Sequence, residues 1–147
     1  MKGYPNGFRS ALVATSLALY ATGCLLAPTT LELRAAWELG WRLGGGARVW
    51  MAAAHAAFAF AAMLFVGALW SVHMRSGWRR RRQRASGTLL GVALLLLAVT
   101  AVGVYYLADE TLANVTALAH LALGLVLIAP FLWHLVKGRR MRRRHHH

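Results

Sequence analysis

Four long apolar stretches constrain this chain more than any other feature of its sequence. They cover about residues 10–27, 47–72, 87–107 and 111–136. Each is long enough to cross the hydrocarbon of a bilayer, and lipid cannot satisfy free backbone groups, so each is predicted to be a helix. With 59 % apolar and only 14 % charged residues, the chain does not have the composition of a water-soluble domain. The predicted fold class is all-α, a four-helix transmembrane bundle.

The charged residues set the direction of the spans. The two termini and the loop between spans 2 and 3 contain no acidic residue and fourteen cations, namely Lys2, Arg9, Arg75, Arg79, Arg80, Arg81, Arg82, Arg84, Lys137, Arg139, Arg140, Arg142, Arg143 and Arg144. The other two loops contain Arg34, Arg42 and Arg48 together with all four acidic residues. By the positive-inside rule, both termini are predicted to be cytoplasmic.

The basic runs have two interpretations, because arginine clusters bind nucleic acids as well as lipid headgroups. The run at residues 79–82 lies directly beside a span end. We therefore expect contact with anionic headgroups of the bilayer and no nucleic-acid partner. The domain is predicted to be a single unit over residues 1–144, and the histidines at 145–147 are interpreted as the remnant of an affinity tag.

The segment 29–43 predicts a short helix in the first outer loop. Thr29 and Glu32 have the spacing of a capping box, and Leu33, Trp37 and Trp41 recur at the spacing of one helix face. We expect this helix to lie in the membrane interface, as a connector or as a lid over the outer half of the bundle, with a hinge at residues 44–46.

An internal repeat divides the chain into two helical hairpins. The ends of the even spans, residues 71–77 and 132–138, each contain a histidine, then a glycine four residues later with a cation between them. Each even span also has a histidine in its first half, His55 and His120. Tandem hairpins of this kind are related by an axis along the membrane normal.

The four histidines of these spans are the main candidates for chemistry. No Asp or Glu lies in a span interior, and ionisable groups at this depth usually face the interior of a bundle. His120 and His134 are 14 residues apart, or about 21 Å and within about 40° of one helix face. His55 and His73 are 18 apart, about 27 Å, on one face. Two facing pairs result, His55 with His120 and His73 with His134, which suits a flat macrocycle held on both faces.

These spans and histidines resemble the transmembrane di-haem b-type cytochromes: the cytochrome b subunits of bacterial formate dehydrogenases and hydrogenases, and the four-helix haem core of quinol:cytochrome c reductases. The reductase-type core takes two histidines about 14 residues apart from each of two parallel helices, a spacing that His120 and His134 share. His55 and His73 exceed it by four residues, and span 1 lacks the histidine of the dehydrogenase type. The resemblance implies a bacterial inner-membrane protein.

Further residues are candidates for haem binding. Gly23 and Gly103 near the outer pair, and Gly91 near the inner pair, could allow close approach of a porphyrin, although small residues also let membrane helices pack. Arg48 on the outer side and Arg75 on the inner side are candidate partners for haem propionates. The alternative is that both arginines only extend their charged groups to the membrane interface. The lone Cys24 excludes a disulfide framework and covalent haem attachment through Cys-x-x-Cys-His.

Two histidine ligands leave the iron without an open position, which favours electron transfer over oxygen activation. We expect two non-covalent haem b groups, with quinone as a further candidate cofactor, and electron transfer between the quinone pool and an extracytoplasmic redox protein. The resemblance implies service to other oxidoreductase subunits; whether the chain itself is an enzyme stays open. The competing hypothesis is a haem-free transporter or scaffold with proton-relay or structural histidines.

Overall fold

The computed structural model describes residues 4–70, 74–79 and 84–143, and this part of the chain contains helices and short connections but no strand. The helices are α1 (Phe8–Ala35), α2 (Gly45–Leu69), α3 (Arg75–Arg79), α4 (Arg84–Tyr106), α5 (Glu110–Val126) and α6 (Ile128–Arg143). Four helical segments are long and apolar enough to cross a membrane: α1, α2, α4 and the segment Glu110–His134 that α5 forms with the start of α6. The predicted all-α fold with four transmembrane helices is confirmed.

The chain forms two compact units, Met1–His73 and Met74–His147, and each contains one hairpin of the predicted repeat. In the first unit α1 packs against α2, and Phe8 near the start of α1 meets Phe65 near the end of α2 edge-to-face, with ring centroids 5.3 Å apart. In the second unit α4 packs against α5 and α6. Helix α5 begins at a capping aspartate, Asp109, whose carboxylate accepts a hydrogen bond of 2.8 Å from the Leu112 N–H.

The pattern of exposure is that of a protein whose solvent is lipid. Large apolar side chains such as Leu17, Phe60 and Leu95 are each more than 60 % exposed. Among the described residues, the buried side chains are instead small or carry a hydroxyl: Thr22, Thr29, Ser86, Ala113 and Ala117. Because so much apolar surface would be unfavourable in water, the chain is a multi-pass membrane protein.

The short helix expected over residues 29–43 is not formed, and this part of the prediction is wrong. Helix α1 continues through Pro28 to Ala35, and residues 36–44 contain no helix. An interior proline removes one backbone donor and its ring crowds the carbonyl four residues earlier, but membrane helices tolerate it when other groups satisfy the freed backbone. Thr29 is therefore a buried residue within α1, and α1 ends at Ala36, whose backbone is left-handed at φ 54°. Trp37 and Trp41 lie exposed on the loop that follows.

The fourth span is interrupted once, at Leu127 between α5 and α6. Pro130 lies three residues later and has no N–H to donate to the Val126 carbonyl. The flanking backbone bonds persist, from Leu127 N–H to the Leu123 carbonyl at 2.9 Å and from Phe131 N–H to the Leu127 carbonyl at 3.1 Å. The span therefore continues past this point with a local break that has an identifiable cause.

Candidate functional site

Three of the four predicted histidines lie in the described part of the chain, and each makes the same kind of contact. The Nδ1 atom of each imidazole lies within hydrogen-bonding distance of a hydroxyl on the first long helix of its own unit, α1 or α4: His55 with Thr22 at 3.0 Å, His120 with Thr100 at 2.9 Å, and His134 with Ser86 at 3.1 Å. All three imidazoles are half-buried. The fourth, His73, lies outside the described residues.

The Thr22 hydroxyl determines the tautomer that we assign to His55. Its oxygen lies 2.9 Å from the carbonyl oxygens of both Ala18 and Leu19, one turn back on α1. A hydroxyl has one proton and a carbonyl can only accept. All groups are satisfied when Thr22 donates to its own helix and His55 donates its Nδ1–H to the Thr22 oxygen. That tautomer places the imidazole lone pair on Nε2.

Thr100 repeats this arrangement on α4. Its oxygen lies 2.8 Å from the Leu96 carbonyl and 3.1 Å from the Leu97 carbonyl, and 2.9 Å from Nδ1 of His120. The same reasoning assigns the Nδ1–H tautomer to His120, with its lone pair on Nε2. Two histidines on different hairpins thus each contact a threonine hydroxyl, and His120 also forms a hydrogen bond with the backbone of Leu97.

Ser86 holds His134 at the other end of α4, in the most enclosed position of the described chain. Its side chain is fully buried, at 0 % exposure. The adjacent Gly87 lies beside the same imidazole, since a Cβ placed there would be 4.0 Å from the Cε1 of His134. The dipeptides Ser86-Gly87 and Thr22-Gly23 are therefore arranged alike around their histidines.

Gly23 lies directly against the imidazole of His55. A Cβ at this position would come within 3.1 Å of Cε1 and 3.6 Å of Nδ1. The missing side chain therefore lets the ring approach the α1 backbone while Nδ1 reaches Thr22. The observed role of this predicted site residue is to make room for the imidazole itself.

The other two predicted glycines differ from Gly23. A Cβ at Gly103 would lie 2.7 Å from the Cγ2 of Thr116, which makes Gly103 a close contact between α4 and α5. At Gly91 a Cβ would meet nothing within 4 Å. The geometry at Gly103 is therefore that of close helix packing, which is the alternative to a porphyrin contact for these small residues. A porphyrin contact at Gly91 or Gly103 stays a prediction.

The two predicted arginines lie at helix starts. Arg48 is exposed in the first turn of α2 and lines a cavity of about 250 Å³ with Thr29, Arg42 and the start of α2. Arg42 pairs there with Glu32. Arg75 is exposed at the start of α3. A role for either arginine with propionates stays a prediction.

The chemistry of the donors suits a metal held by one imidazole from each side. Among the described residues, no three His, Cys, Asp or Glu side chains come together as a compact metal site. Bis-imidazole ligation of haem requires two nitrogen donors and no carboxylate. It also favours a hydrogen bond at the other ring nitrogen, which fixes the tautomer and orientation of the ligand. Thr22, Thr100 and Ser86 each place a hydroxyl at Nδ1 of a described imidazole, which is the kind of contact that such a ligand uses.

The three hydroxyls were not part of the predicted site, although the sequence contains a signal for two of them. Ser86 and Thr100 are 14 residues apart, as are His120 and His134. In an antiparallel hairpin these equal spacings allow Ser86 to lie opposite His134 while Thr100 lies opposite His120. Hydropathy does not detect this, because it does not fix the rotation of an almost uniformly apolar helix about its axis.

The fold and the hydroxyl–imidazole contacts define a multi-pass α-helical membrane protein in which three histidines of the candidate spans contact hydroxyls of a neighbouring helix. The comparisons with protein-family models, curated proteins and solved structures found no match for this chain.

Proposed function

We propose that this protein is an integral membrane b-type cytochrome that binds two bis-histidine haems. It transfers electrons across a bacterial inner membrane, with both termini cytoplasmic, between quinone or quinol and an extracytoplasmic redox partner. His55 and His120 would hold one haem and His73 and His134 the other, a pairing that depends on their spacing in the sequence. The haem iron would supply reversible one-electron transfer.

The observation that carries this proposal is the hydroxyl contact that the three described imidazoles have in common. In each, Nδ1 is engaged by a hydroxyl of the neighbouring helix. In the tautomer assigned to His55 and His120, the hydroxyl donates to a carbonyl of its own helix, Nδ1–H donates to the hydroxyl oxygen, and Nε2 would bear the lone pair that a metal requires. Metal-ligating histidines in proteins typically have such an orienting contact.

The placement of these imidazoles also supports electron transfer. His120 and His134 lie in one span, 14 residues apart, so they offer donors at two depths. Their hydroxyl partners, Thr100 and Ser86, are on one helix, α4. Two redox centres at different depths would shorten the distance of each electron-transfer step through the insulating hydrocarbon layer.

A haem-free scaffold is the competing function, and the same contacts favour it in one respect. Each hydroxyl–imidazole hydrogen bond joins two helices, and such bonds stabilise membrane helix pairs by about 1 kcal/mol. A scaffold would need the bonds alone, without a lone pair directed at a ligand. Haem content separates the two functions.

The test is the haem content of histidine variants produced in haem-replete cells. His55→Leu and His120→Leu should each remove one of two haems per chain and spare the other, because each haem loses one of its two ligands. The double variant should still retain one haem, since both changes affect the same haem. Loss of both haems, or of neither, in a folded single variant would contradict the pairing.

A matched control is available in Trp50→Leu, which changes an exposed aromatic side chain in the same helix as His55. It should retain both haems. Wild-type protein that contains no haem would favour the scaffold.

A further inference from the structure

The hydroxyls of Thr22 and Thr100 form two matching relays that end on histidines. In each relay a helix carbonyl accepts a hydrogen bond from the threonine hydroxyl. The threonine oxygen lies 3.0 Å (Thr22) or 2.9 Å (Thr100) from the imidazole Nδ1. The two relays are in different hairpins but end on His55 and His120, the residues proposed to share one iron.

We infer that Thr22 and Thr100 are positioning residues that set the reduction potential of the haem held by His55 and His120. The inference rests on the proposed function. Donation from Nδ1–H to a hydroxyl oxygen makes the imidazole a more basic ligand at Nε2. A more basic ligand stabilises ferric iron more than ferrous iron, because the ferric ion has the larger charge. The two hydroxyls therefore lower the potential of that haem.

The surroundings strengthen the effect of a neutral hydroxyl. Residues 8–31, 45–69, 84–106 and 111–134 contain no Asp or Glu, so no carboxylate within the spans can compete for Nδ1–H. Thr22 is only 8 % exposed, which limits access of water to its oxygen. In such low-dielectric surroundings successive hydrogen bonds polarise one another. Because the hydroxyl is neutral, it orients the imidazole without removing its proton.

The third hydroxyl provides an internal comparison. Ser86 contacts His134, which is proposed to ligate the other haem. Changes at Thr22 or Thr100 should therefore affect one haem, and a change at Ser86 should affect the other. A general weakening of helix packing would not separate the two haems in this way.

The experiment is a spectroscopic redox titration of the purified full-length protein with both haems bound. Thr22→Val keeps the shape of the side chain and removes the hydroxyl, whereas Thr22→Ser keeps the hydroxyl as the matched control. Thr22→Val should raise the midpoint potential of one haem and leave the other unchanged. A tenfold fall in the ferric-to-ferrous affinity ratio corresponds to about 59 mV for a one-electron couple. Thr22→Ser should titrate like the wild type.

Thr100→Val is the second, independent variant and should raise the potential of the same haem. Should a valine variant lose that haem while its serine counterpart retains it, the hydroxyl is needed to orient the ligand, which supports the inference. Valine variants that keep both haems at wild-type potentials would overturn it, as would serine variants that behave like valine. Wild-type protein without haem would instead overturn the proposed function.

Discussion

Thr22 and Gly23 act on one imidazole from adjacent positions of α1. The hydroxyl of Thr22 engages Nδ1 of His55, and the absence of a Cβ at Gly23 leaves space for Cε1. Ser86 and Gly87 do the same for His134, with a looser contact at the glycine. At the residue scale, a hydroxyl followed by glycine seats two of the three described histidines against a neighbouring helix; at His120 the hydroxyl residue, Thr100, is followed by Ala101.

Gly23→Ala should destabilise the protein and reduce its haem content. The added methyl would lie 3.1 Å from Cε1 of His55, so the ring must shift and its bond to Thr22 must lengthen. Overpacking of this kind costs about 1–3 kcal/mol in the free energy of unfolding. Denaturant unfolding in detergent and the haem-to-protein ratio measure the two effects.

Gly67→Ala is the matched control, because a Cβ at Gly67 in α2 meets nothing within 4 Å. It should leave the haem content at the wild-type value and should not lower the free energy of unfolding, because alanine favours a helix over glycine by about 0.5–1 kcal/mol. Equal behaviour of the Gly23 and Gly67 variants would contradict the close seating of His55.

At the scale of elements, the second hairpin depends on close approach of α4 and α5. Gly103 on α4 faces Thr116 on α5, and near Gly124 a Cβ would be 4.0 Å from Leu97. Ala113 and Ala117, both buried, lie on α5. Small residues therefore line this interface, as in other membrane helix pairs. The approach brings Thr100 within reach of His120.

Gly103→Ala should weaken this hairpin, and Thr116→Ser should reverse the effect. The new methyl would lie 2.7 Å from the Cγ2 of Thr116, which serine lacks. We expect Gly103→Ala to lower the free energy of unfolding by about 1–3 kcal/mol. The double variant should recover most of that loss in a double-mutant cycle. Additive losses would show that the two side chains do not meet.

The number and approximate limits of the spans could be predicted from the sequence, because hydropathy and length determine which segments cross a bilayer. The end of α1 could not. The spacing of Thr29 and Glu32 suggested a new helix, yet α1 continues through Pro28 to Ala35. The three described histidines lie within candidate spans, but their hydroxyl partners could not be predicted, because they depend on helix rotation and register, which a uniformly apolar surface does not encode.

At the scale of the whole molecule, the charges predict a direction for the spans. In a protein whose native Cys24 is replaced by serine, Trp41→Cys tests the loop after α1, and Arg79→Cys tests the end of α3; both positions are exposed. A membrane-impermeant maleimide applied to intact spheroplasts should label the first, and should label the second only after the membrane is opened. The reverse pattern would contradict cytoplasmic termini.

The proposed cytochrome combines a lipid-facing surface with polar contacts at the histidines. Its helices expose large apolar side chains, while Thr22 and Ser86, which contact imidazoles, are buried. Electron transfer across the membrane would require the chain to hold two irons at different depths and to exclude water from them.

The most direct test is the haem content of the wild-type protein purified from haem-replete cells, measured as the pyridine haemochrome against the protein concentration. The proposal predicts two b-type haems per chain, because four histidines in the spans form two ligand pairs. Folded protein that is colourless under these conditions would contradict it, and the hydroxyl–imidazole bonds would then serve only to join the helices.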